Sequence, residues 1–260
     1  MRKIILGDCI KVMEKIKDKS IDMILCDLPY GTTACKWDVV ISLDELWEQY
    51  KRIIKDNGAI ALTASQPFTT MLISSNIQMF KYCWVWNKGK AGNFVLSKYQ
   101  PLRVTEDIVI FNVKQYNPQM VKAKKENIRP RSKDYKKKYN GTQGMSSKVF
   151  KWSTTHNKEI RYPINIINIK STTGECNNLH RLHPTQKPVA LFEYLIRTYT
   201  NKNDLILDNC AGSGTTGIAC INLKRNFILI DNEKKYYKLM KKRIMDHIKE
   251  IKIGTDTKRN

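Results

Sequence analysis

The stretch "LILDNCAGSGTTGIAC", Leu205–Cys220, contains the pattern that decides the fold. Its apolar start predicts a short buried strand, and the small and apolar residues after Gly214 predict a helix. Between them, the run from Gly212 to Gly217 matches GxGxxG, a loop that joins strand to helix in nucleotide-binding α/β domains. Asp231, at the end of the next predicted strand, is placed to accept ribose hydroxyls. The stretch therefore predicts an α/β fold that binds an adenosine-bearing cofactor.

Acidic residues near this loop help to distinguish between adenosine cofactors. Asp208 ends the strand before the loop, and Asp8 ends another predicted strand near the start of the chain. A pyrophosphate requires bare backbone N–H groups and no carboxylate nearby. S-adenosylmethionine (SAM) carries no phosphate and has two positive centres, so carboxylates nearby are tolerated or help to bind it. The loop therefore favours SAM over NAD, and a NAD-dependent oxidoreductase is the remote alternative.

A second stretch, "SIDMILCDLPYGTTACKWD" from Ser20 to Asp38, ends a predicted buried strand on Asp27. The carboxylate is followed at once by Leu28, Pro29 and Tyr30. Ligands of open α/β sheets bind at the carboxyl ends of strands, so this position suits a binding or catalytic role. Pro and Gly also punctuate ordinary turns, and spacing alone gives that interpretation equal weight.

The rest of the chain alternates between strand and helix patterns. A helix is predicted to begin at Ser42 and to be capped at its C-terminal end by Gly58. A second helix is predicted to be capped at its N-terminal end by Thr185, with Pro188 in its first turn. Further strands are predicted at 3–6, 59–63, 82–86, 107–112 and 227–230, and further helices at 10–16, 67–75 and from 233 onward. This alternation predicts a mostly parallel sheet with helices on both faces.

The charge of the 260-residue chain is strongly positive, with 46 Lys and Arg against 24 Asp and Glu. Between Lys114 and Arg161 there are 14 basic and three acidic residues, which gives half of the net +22. Tyrosines and a tryptophan are interleaved with these charges, as in surfaces that grip phosphates and stack on bases. A partly disordered linker is the alternative, but the aromatic content favours nucleic-acid binding.

The seven cysteines are scattered and form no CxxC pair, which favours a reduced, cytoplasmic protein over a disulfide framework. Cys176, His180 and His183 form a metal-like group that lacks an evident fourth ligand, so no metal is predicted. Apolar runs never approach about 18 residues, so neither a signal peptide nor a membrane span is expected.

Taken together, the motifs resemble the beta class of amino-methylating DNA methyltransferases, in which the catalytic motif precedes the SAM-binding motif. Asp27–Tyr30 is similar to the family's Asp-Pro-Pro-Tyr motif, and Asp208–Thr216 to its cofactor loop. "HPTQKP", His183–Pro188, is similar to an element that encloses the methionine part of SAM. "GDC" at Gly7–Cys9 and "WNKG" at Trp86–Gly89 match further landmarks. The chain departs from the family pattern at two motif positions, where Leu28 replaces a proline and Cys210 a phenylalanine.

The resemblance implies a Rossmann-like SAM-dependent methyltransferase fold with a mostly parallel twisted sheet, helices on both faces and a basic target-recognition insert. Residues 1–112 would form the catalytic half, 113–178 the basic insert and 179–260 the SAM-binding half. Family members are often dimers and some accompany a restriction endonuclease, so a homodimer and a cognate nuclease join double-stranded DNA as candidate partners. The residues themselves show neither of the two protein partners.

The implied reaction is methyl transfer to adenine N6 of a base flipped out of duplex DNA. Asp27 and the Leu28 carbonyl would accept the two N–H bonds of the amine, Pro29 would fix the turn, and Tyr30 would stack on the base. Asp at the first motif position favours adenine, because cytosine-N4 enzymes of the family usually have Ser there. Cytosine N4, RNA and protein side-chain amides remain alternative targets, as does a non-catalytic DNA-binding remnant.

The implied SAM contacts come from four parts of the chain. The loop residues and Asp208 would lie against the cofactor, with Asp231 on its ribose, Asp8 and Cys9 near its adenine ring, and Lys187 and Pro188 at its methionine end. Asp231 has an alternative role as the cap of the following helix, and Asp8 as a turn residue. The full set of expected cofactor-binding residues is Asp8, Cys9, Asp27, Lys187, Pro188, Asp208, Ala211, Gly212, Ser213, Gly214, Thr215, Thr216, Asp231 and Asn232.

Overall fold

The computed structural model describes residues 1–31, 38–122, 160–171 and 186–256. The chain separates into two compact units, one formed by Met1–Asn117 with Asn165–Asn260 and the other by Pro118–Ile164. The metal-like group Cys176, His180 and His183 lies outside the described residues, as does most of the basic segment. The predicted bounds of the insert, 113–178, therefore stay a prediction.

The larger unit is built on an eight-stranded sheet, and the smaller one contains a two-stranded antiparallel pair, β6 and β7. The strands are β1 Arg2–Leu6, β2 Ile21–Asp27, β3 Ile54–Ala64, β4 Phe80–Gly92, β5 Arg103–Phe111, β6 Val121–Lys122, β7 Ile160–Arg161, β8 Ile166–Asn168, β9 Leu205–Asp208 and β10 Asn226–Asp231. The order in the large sheet is β1-β10-β9-β2-β3-β5-β4-β8. The first five strands in this order are parallel, and β5 is antiparallel to both of its neighbours. The predicted mostly parallel sheet is confirmed.

Helices cover both faces of this sheet. They are α1 Cys9–Met13, α2 Leu43–Ile53, α3 Phe68–Ser75, α4 Val189–Tyr199, α5 Thr215–Asn222 and α6 Lys234–Asp256. The Ser42 side chain accepts the Glu45 N–H at 3.5 Å, so Ser42 caps α2 as its sequence predicts. Of the helices described, none is long and apolar enough to cross a membrane.

Strand β2 shows how the sheet separates two hydrophobic clusters. Its residues 23–26 are all fully buried, as expected for an interior parallel strand. Because side chains alternate along a strand, Met23 and Leu25 join the cluster formed with α4, α5 and α6, whereas Ile24 and Cys26 join the cluster formed with α1, α2 and α3. The strand is therefore held rigidly from both faces.

The order of the strands reverses between β9 and β2, which are adjacent in the sheet. From β2 the chain runs through α2 to β3 on one side, and from β9 it runs through α5 to β10 on the other side. Such a switch point leaves a crevice at the carboxyl ends of the strands, where open α/β sheets bind ligands. Asp27 and Asp208 end the two strands that flank this crevice.

The prediction that Gly58 caps α2 is wrong. The helix ends at Ile53, β3 begins at once with Ile54, and Gly58 lies inside that strand at an irregularity in its pairing with β2. A Cβ on Gly58 would lie 2.8 Å from Ile54 Cδ1 and 2.9 Å from the Asp22 carbonyl oxygen. The glycine is therefore needed for the close approach of two strands, which helix-cap rules do not consider.

At the start of α4 the structure also differs from the prediction. Pro188 is the N-cap residue with extended backbone, φ −62° and ψ 136°, and is not in the first helical turn. Thr185, the predicted cap, lies outside the described residues. Proline restrains its own φ and has no N–H to satisfy, so it can begin a helix without a side-chain cap.

Candidate active site

A cavity of about 1090 Å³ lies at the carboxyl ends of the parallel strands. Its size matches sites that enclose a cofactor-sized ligand. The predicted site residues that line it are Asp8, Cys9, Asp27, Leu28, Pro29, Tyr30, Lys187, Asp208, Ala211, Gly212, Ser213, Thr215, Asp231 and Asn232. Pro188, Gly214 and Thr216 belong to the same loops and do not line the cavity. The two motifs, about 180 residues apart in the sequence, therefore share one space.

The Asp27 carboxylate is the centre of a hydrogen-bond network. Its Oδ1 accepts from the Tyr30 hydroxyl at 2.9 Å and from the Thr63 hydroxyl. Its Oδ2 accepts from Lys187 Nζ at 2.7 Å. Thr63 is the register partner of Asp27 on β3, so strand pairing places the two side chains next to each other. These bonds fix both carboxylate oxygens at the mouth of the cavity.

Lys187 contacts two carboxylates, since its Nζ lies 2.7 Å from Asp27 Oδ2 and 3.5 Å from Glu106 Oε2. Burial by itself lowers the pKa of Lys187, but Asp27 and Glu106 outweigh it and raise the pKa. Burial likewise raises the pKa of Glu106, but Lys187 and Lys88 outweigh it and lower that pKa. Lys187 and Glu106 are therefore both charged at neutral pH.

The Tyr30 ring stacks on Phe68, with ring centroids 5.2 Å apart and an interplanar angle of 23°. Lys187 Nζ lies 5.8 Å from the centroid of the same ring. Burial, and then the charges of Asp27 and Glu106, raise the pKa of the Tyr30 hydroxyl well above 10, so this group stays a hydrogen-bond donor. Leu28, which follows Asp27 in the motif, is buried in the hydrophobic cluster formed with α1, α2 and α3.

Asp208 is a buried carboxylate at the base of the glycine loop. It accepts from the Thr216 hydroxyl and, at 3.2 Å, from the backbone N–H of Cys210. Burial raises its pKa from 3.8 to about 7, and the hydrogen bonds from Thr216 and Cys210 offset only part of this shift. A cationic ligand beside it would favour the ionised form.

The raised pKa of Asp208 makes the cofactor-free protein sensitive to pH. Between about pH 4 and pH 7 the folded state holds a proton that the unfolded state has released, so stability falls as pH rises. Asp208→Asn removes this titration. The difference in unfolding free energy between the variant and the wild type is therefore expected to shift in favour of the variant by about 1–3 kcal/mol when the pH is raised from 5 to 8. Urea unfolding at both pH values measures the difference. An equal gain at both pH values would contradict the raised pKa, and exposed Asp246→Asn serves as the control.

The glycine loop is fixed by its own backbone and by α6. Gly214 has φ +79°, in the left-handed region that favours glycine. Arg243 of α6 is buried and donates through Nη1 to the Ser213 carbonyl oxygen at 2.9 Å, with Ser213 Oγ at 3.1 Å and Thr215 Oγ1 at 3.3 Å. The Thr215 hydroxyl also donates to the Lys187 carbonyl at 3.3 Å, which joins the loop to the start of α4.

Asp231 and Asp8 both have backbone partners in the structure. Asp231 accepts the Gly212 N–H and the Glu233 N–H, each at 2.8 Å. Asp8 is the N-cap of α1 and accepts the Lys11 N–H at 3.0 Å. Asp8 therefore caps α1, where the sequence suggested a turn role, whereas Asp231 bonds the residue that precedes α6 and the glycine loop. Each carboxylate still lines the cavity. Cofactor contacts by these residues stay predictions.

The lining of the cavity fits SAM better than a dinucleotide. The Gly212 N–H donates to Asp231 and the Gly214 N–H donates to the Ala211 carbonyl, so two loop amides that a pyrophosphate would need are already paired. The carboxylates of Asp8, Asp208 and Asp231 suit hydroxyls and positive charge. Cys210, where the family has phenylalanine, packs against the hydrophobic core and lines the same cavity. No group of three metal-ligating side chains occurs among the described residues.

Four side chains that support this site were not predicted from the sequence: Thr63, Lys88, Glu106 and Arg243. Thr63 could have been found, since it ends a predicted strand and the end of a neighbouring parallel strand carries Asp27. Lys88 could have been found too, since it belongs to the WNKG run noted as a family landmark, whereas Glu106 reaches the site from β5, whose pairing with β4 the sequence does not indicate. Arg243 is one of many basic residues in α6, and no local signal distinguishes it.

Comparison with known proteins is consistent with this geometry. Residues 21–242 match the family model described as DNA methylase, which covers the N6 and N4 amino-methyltransferases. The match extends over most of the chain, so the chain belongs to this DNA methyltransferase family, which uses SAM. The predicted family, reaction class and cofactor are thereby confirmed.

Relatives of known name are similar over nearly the whole chain. The type II methyltransferase M.HpaI of Haemophilus parainfluenzae is 26% identical in an alignment 255 residues long that covers 94% of this chain and 74% of the relative. The type II methyltransferase M2.MboI of Moraxella bovis is 28% identical in an alignment 266 residues long that covers 91% of this chain and 85% of the relative. Both identities are modest, so they support the class of enzyme and not a shared recognition sequence.

Solved structures confirm the methyltransferase fold. The M1.HpyAVI–SAM complex is 25% identical, with a TM-score of 0.60 over 94% of this chain and 99% of the other. The cytosine-N4-specific PvuII DNA methyltransferase is 14% identical, with a TM-score of 0.63 over 95% of this chain and 90% of the other. At that identity the second likeness concerns the fold alone.

Proposed function

We propose that this DNA methyltransferase acts on adenine N6 in double-stranded DNA. The observation that carries the proposal is the Asp27 carboxylate, fixed at the end of β2 in the same cavity as the glycine loop. A carboxylate at this motif position favours adenine over cytosine, where the family usually has serine. Cytosine N4 is the alternative target.

In the proposed reaction, SAM supplies a methyl group on its sulfonium. The amine of adenine is a poor nucleophile because its lone pair is delocalised into the ring. The Asp27 carboxylate and the Leu28 carbonyl oxygen accept its two N–H bonds, which draws the nitrogen towards a tetrahedral shape. Holding the two reactants in line accounts for up to about 7–11 kcal/mol of the barrier in favourable systems. Tyr30, supported by Phe68, is proposed to stack on the flipped base.

The proposed cofactor contacts use the cavity lining described above, together with Pro188, Gly214 and Thr216 of the same loops. Asp208 and the loop Ala211–Thr216 lie along the cofactor, Asp231 with Asn232 faces its ribose, and Asp8 with Cys9 faces its adenine ring. Lys187 and Pro188 enclose its methionine end. The fixed loop and the acidic lining support this arrangement.

Double-stranded DNA is proposed as the substrate because the net charge of +22 suits a polyanion. The candidates for target contacts, including Arg129, Arg131 and Lys136–Lys138, lie outside the described residues. A homodimer, a cognate restriction endonuclease and a cytoplasmic location belong to the proposal as well, and the five free cysteines among the described residues are compatible with a reducing compartment.

The nature of the substrate is tested by transfer of a radiolabelled methyl group from SAM to three matched polymers. These are duplex DNA, the same DNA as single strands, and RNA of the same sequence. We expect label in duplex DNA and at least about tenfold less in RNA, because the proposed site acts on a base flipped from a DNA duplex. Preferential labelling of RNA would contradict the proposal.

A further inference from the structure

Glu106 is a buried carboxylate beside the catalytic motif, and the proposed chemistry above gives it no part. Lys88 Nζ donates a hydrogen bond to Glu106 Oε1 at 3.1 Å. Its Oε2 is 3.5 Å from Lys187 Nζ and accepts no hydrogen bond within the described part of the chain. A buried carboxylate oxygen without a hydrogen bond is costly, so its position calls for an explanation.

Lys187 occupies the place that the proposed substrate needs. Its ammonium donates to Asp27 Oδ2 at 2.7 Å, while Oδ1 is already engaged by Tyr30 and Thr63. The second lone pair of Oδ2 remains open to an entering amine, but an oxygen that already accepts from an ammonium is a weaker acceptor, so the amine binds Asp27 most strongly when Lys187 withdraws. The same ammonium is also a fixed positive charge beside a nitrogen that gains positive charge as the methyl group arrives, which raises the barrier.

We propose that Glu106 is a positioning residue that takes Lys187 from Asp27 when the target base enters. Nζ needs to shorten its 3.5 Å separation from Glu106 Oε2 by less than 1 Å to reach an ordinary charge-assisted hydrogen bond. The exchange replaces one Lys–carboxylate hydrogen bond with another, so Lys187 is never left buried without a partner. Asp27 Oδ2 is then free for the substrate amine.

The charges around Lys187 support a transfer of the whole ammonium and not of a proton. Asp27 and Glu106 face it, the Tyr30 hydroxyl shares Asp27, and Lys88 faces Glu106. Both carboxylates raise the pKa of Lys187, so the ammonium keeps its charge in either position at neutral pH. The proposal rests on the proposed function, since it assigns the amine of the base as the group that displaces Lys187.

The test uses Glu106→Gln, which keeps the shape of the side chain and removes the charge that attracts Lys187. We expect kcat for methyl transfer to fall about tenfold or more, with little change in the Kd of SAM. The decisive variant is Glu106→Gln combined with Lys187→Met. Since the single variant leaves Lys187 bound to Asp27, removing Lys187 from it is expected to raise kcat measured at saturating SAM, although the Kd of SAM rises because Lys187 is also proposed to enclose the methionine end. Glu193→Gln, a carboxylate paired with Arg197 on α4, is the matched control.

A purely structural role for Glu106 predicts the opposite result, a double variant that is slower than Glu106→Gln. The pH profile is a second readout that does not need the double variant to fold. In Glu106→Gln, kcat is expected to rise with pH at a lower pH than in the wild type, because loss of one of the two carboxylates lowers the pKa of Lys187 and a neutral Lys187 binds Asp27 more weakly. Parallel profiles would overturn the proposal. A wild type that labels only cytosine would overturn the proposed function, and an active wild type with an unaffected Glu106→Gln variant would overturn this inference alone.

Discussion

Replacement of Asp27 by asparagine is expected to lower the rate of methyl transfer about 10³-fold while SAM still binds. The asparagine keeps the size of the side chain, but its amide presents N–H groups where the target amine needs an acceptor. It also loses the charge that Lys187 now neutralises at 2.7 Å. Single-turnover transfer to duplex DNA measures the rate, and calorimetric titration with SAM measures the binding.

Asp22→Asn is the matched control for this experiment. Asp22 lies on the same strand, where it binds Lys55 at 2.6 Å and the Leu205 N–H at 2.9 Å. Its replacement removes an ion pair at the far end of β2 and is expected to change the rate by less than about threefold. If Asp27→Asn retained activity near that of the control, the assignment of Asp27 as the acceptor would be wrong.

The second large effect concerns the glycine loop. Gly214→Ala is expected to destabilise the protein by about 2–4 kcal/mol, because a side chain at φ +79° is strained and its Cβ would lie 2.7 Å from Met240 Cγ. Urea unfolding measures the loss. Gly92→Ala is the control, since an added Cβ there is no closer than 3.9 Å to any neighbouring atom.

A double-mutant cycle separates the two causes of this loss. Met240→Ala removes Cγ, the atom that the new Cβ would meet at 2.7 Å, so the double variant is expected to be more stable than the sum of the two single losses by about 1–2 kcal/mol. Exact additivity would mean that backbone strain alone accounts for the effect. A stable Gly214→Ala variant would contradict the described loop and its contact with α6.

Local patterns in the sequence were sufficient for the elements that carry the two motifs. The strand that ends at Asp208, the glycine loop and the helix after it follow one another along the chain, so apolar pattern and glycine spacing predict them together. The same holds for β2 and Asp27. The two motifs share one cavity because the strands that carry them are parallel and meet at a switch point. The alternation of strands and helices in the sequence also predicts this arrangement.

Contacts between distant strands explain what the sequence did not predict. Glu106 reaches Lys187 because β5 runs antiparallel between β3 and β4, and no local pattern indicates that insertion. Gly58 was wrongly expected to cap a helix because its role depends on Asp22 of the neighbouring strand. Pairing of non-local strands, and not local propensity, decides both cases.

The central claim is that this enzyme methylates adenine N6 in duplex DNA. Its most direct test is incubation of the purified protein with SAM and unmethylated duplex DNA, followed by digestion to nucleosides and mass spectrometry, with Asp27→Asn alongside. We expect N6-methyladenine with the wild type and at most a trace with the variant. N4-methylcytosine in place of N6-methyladenine, or equal N6-methyladenine from both proteins, would contradict it.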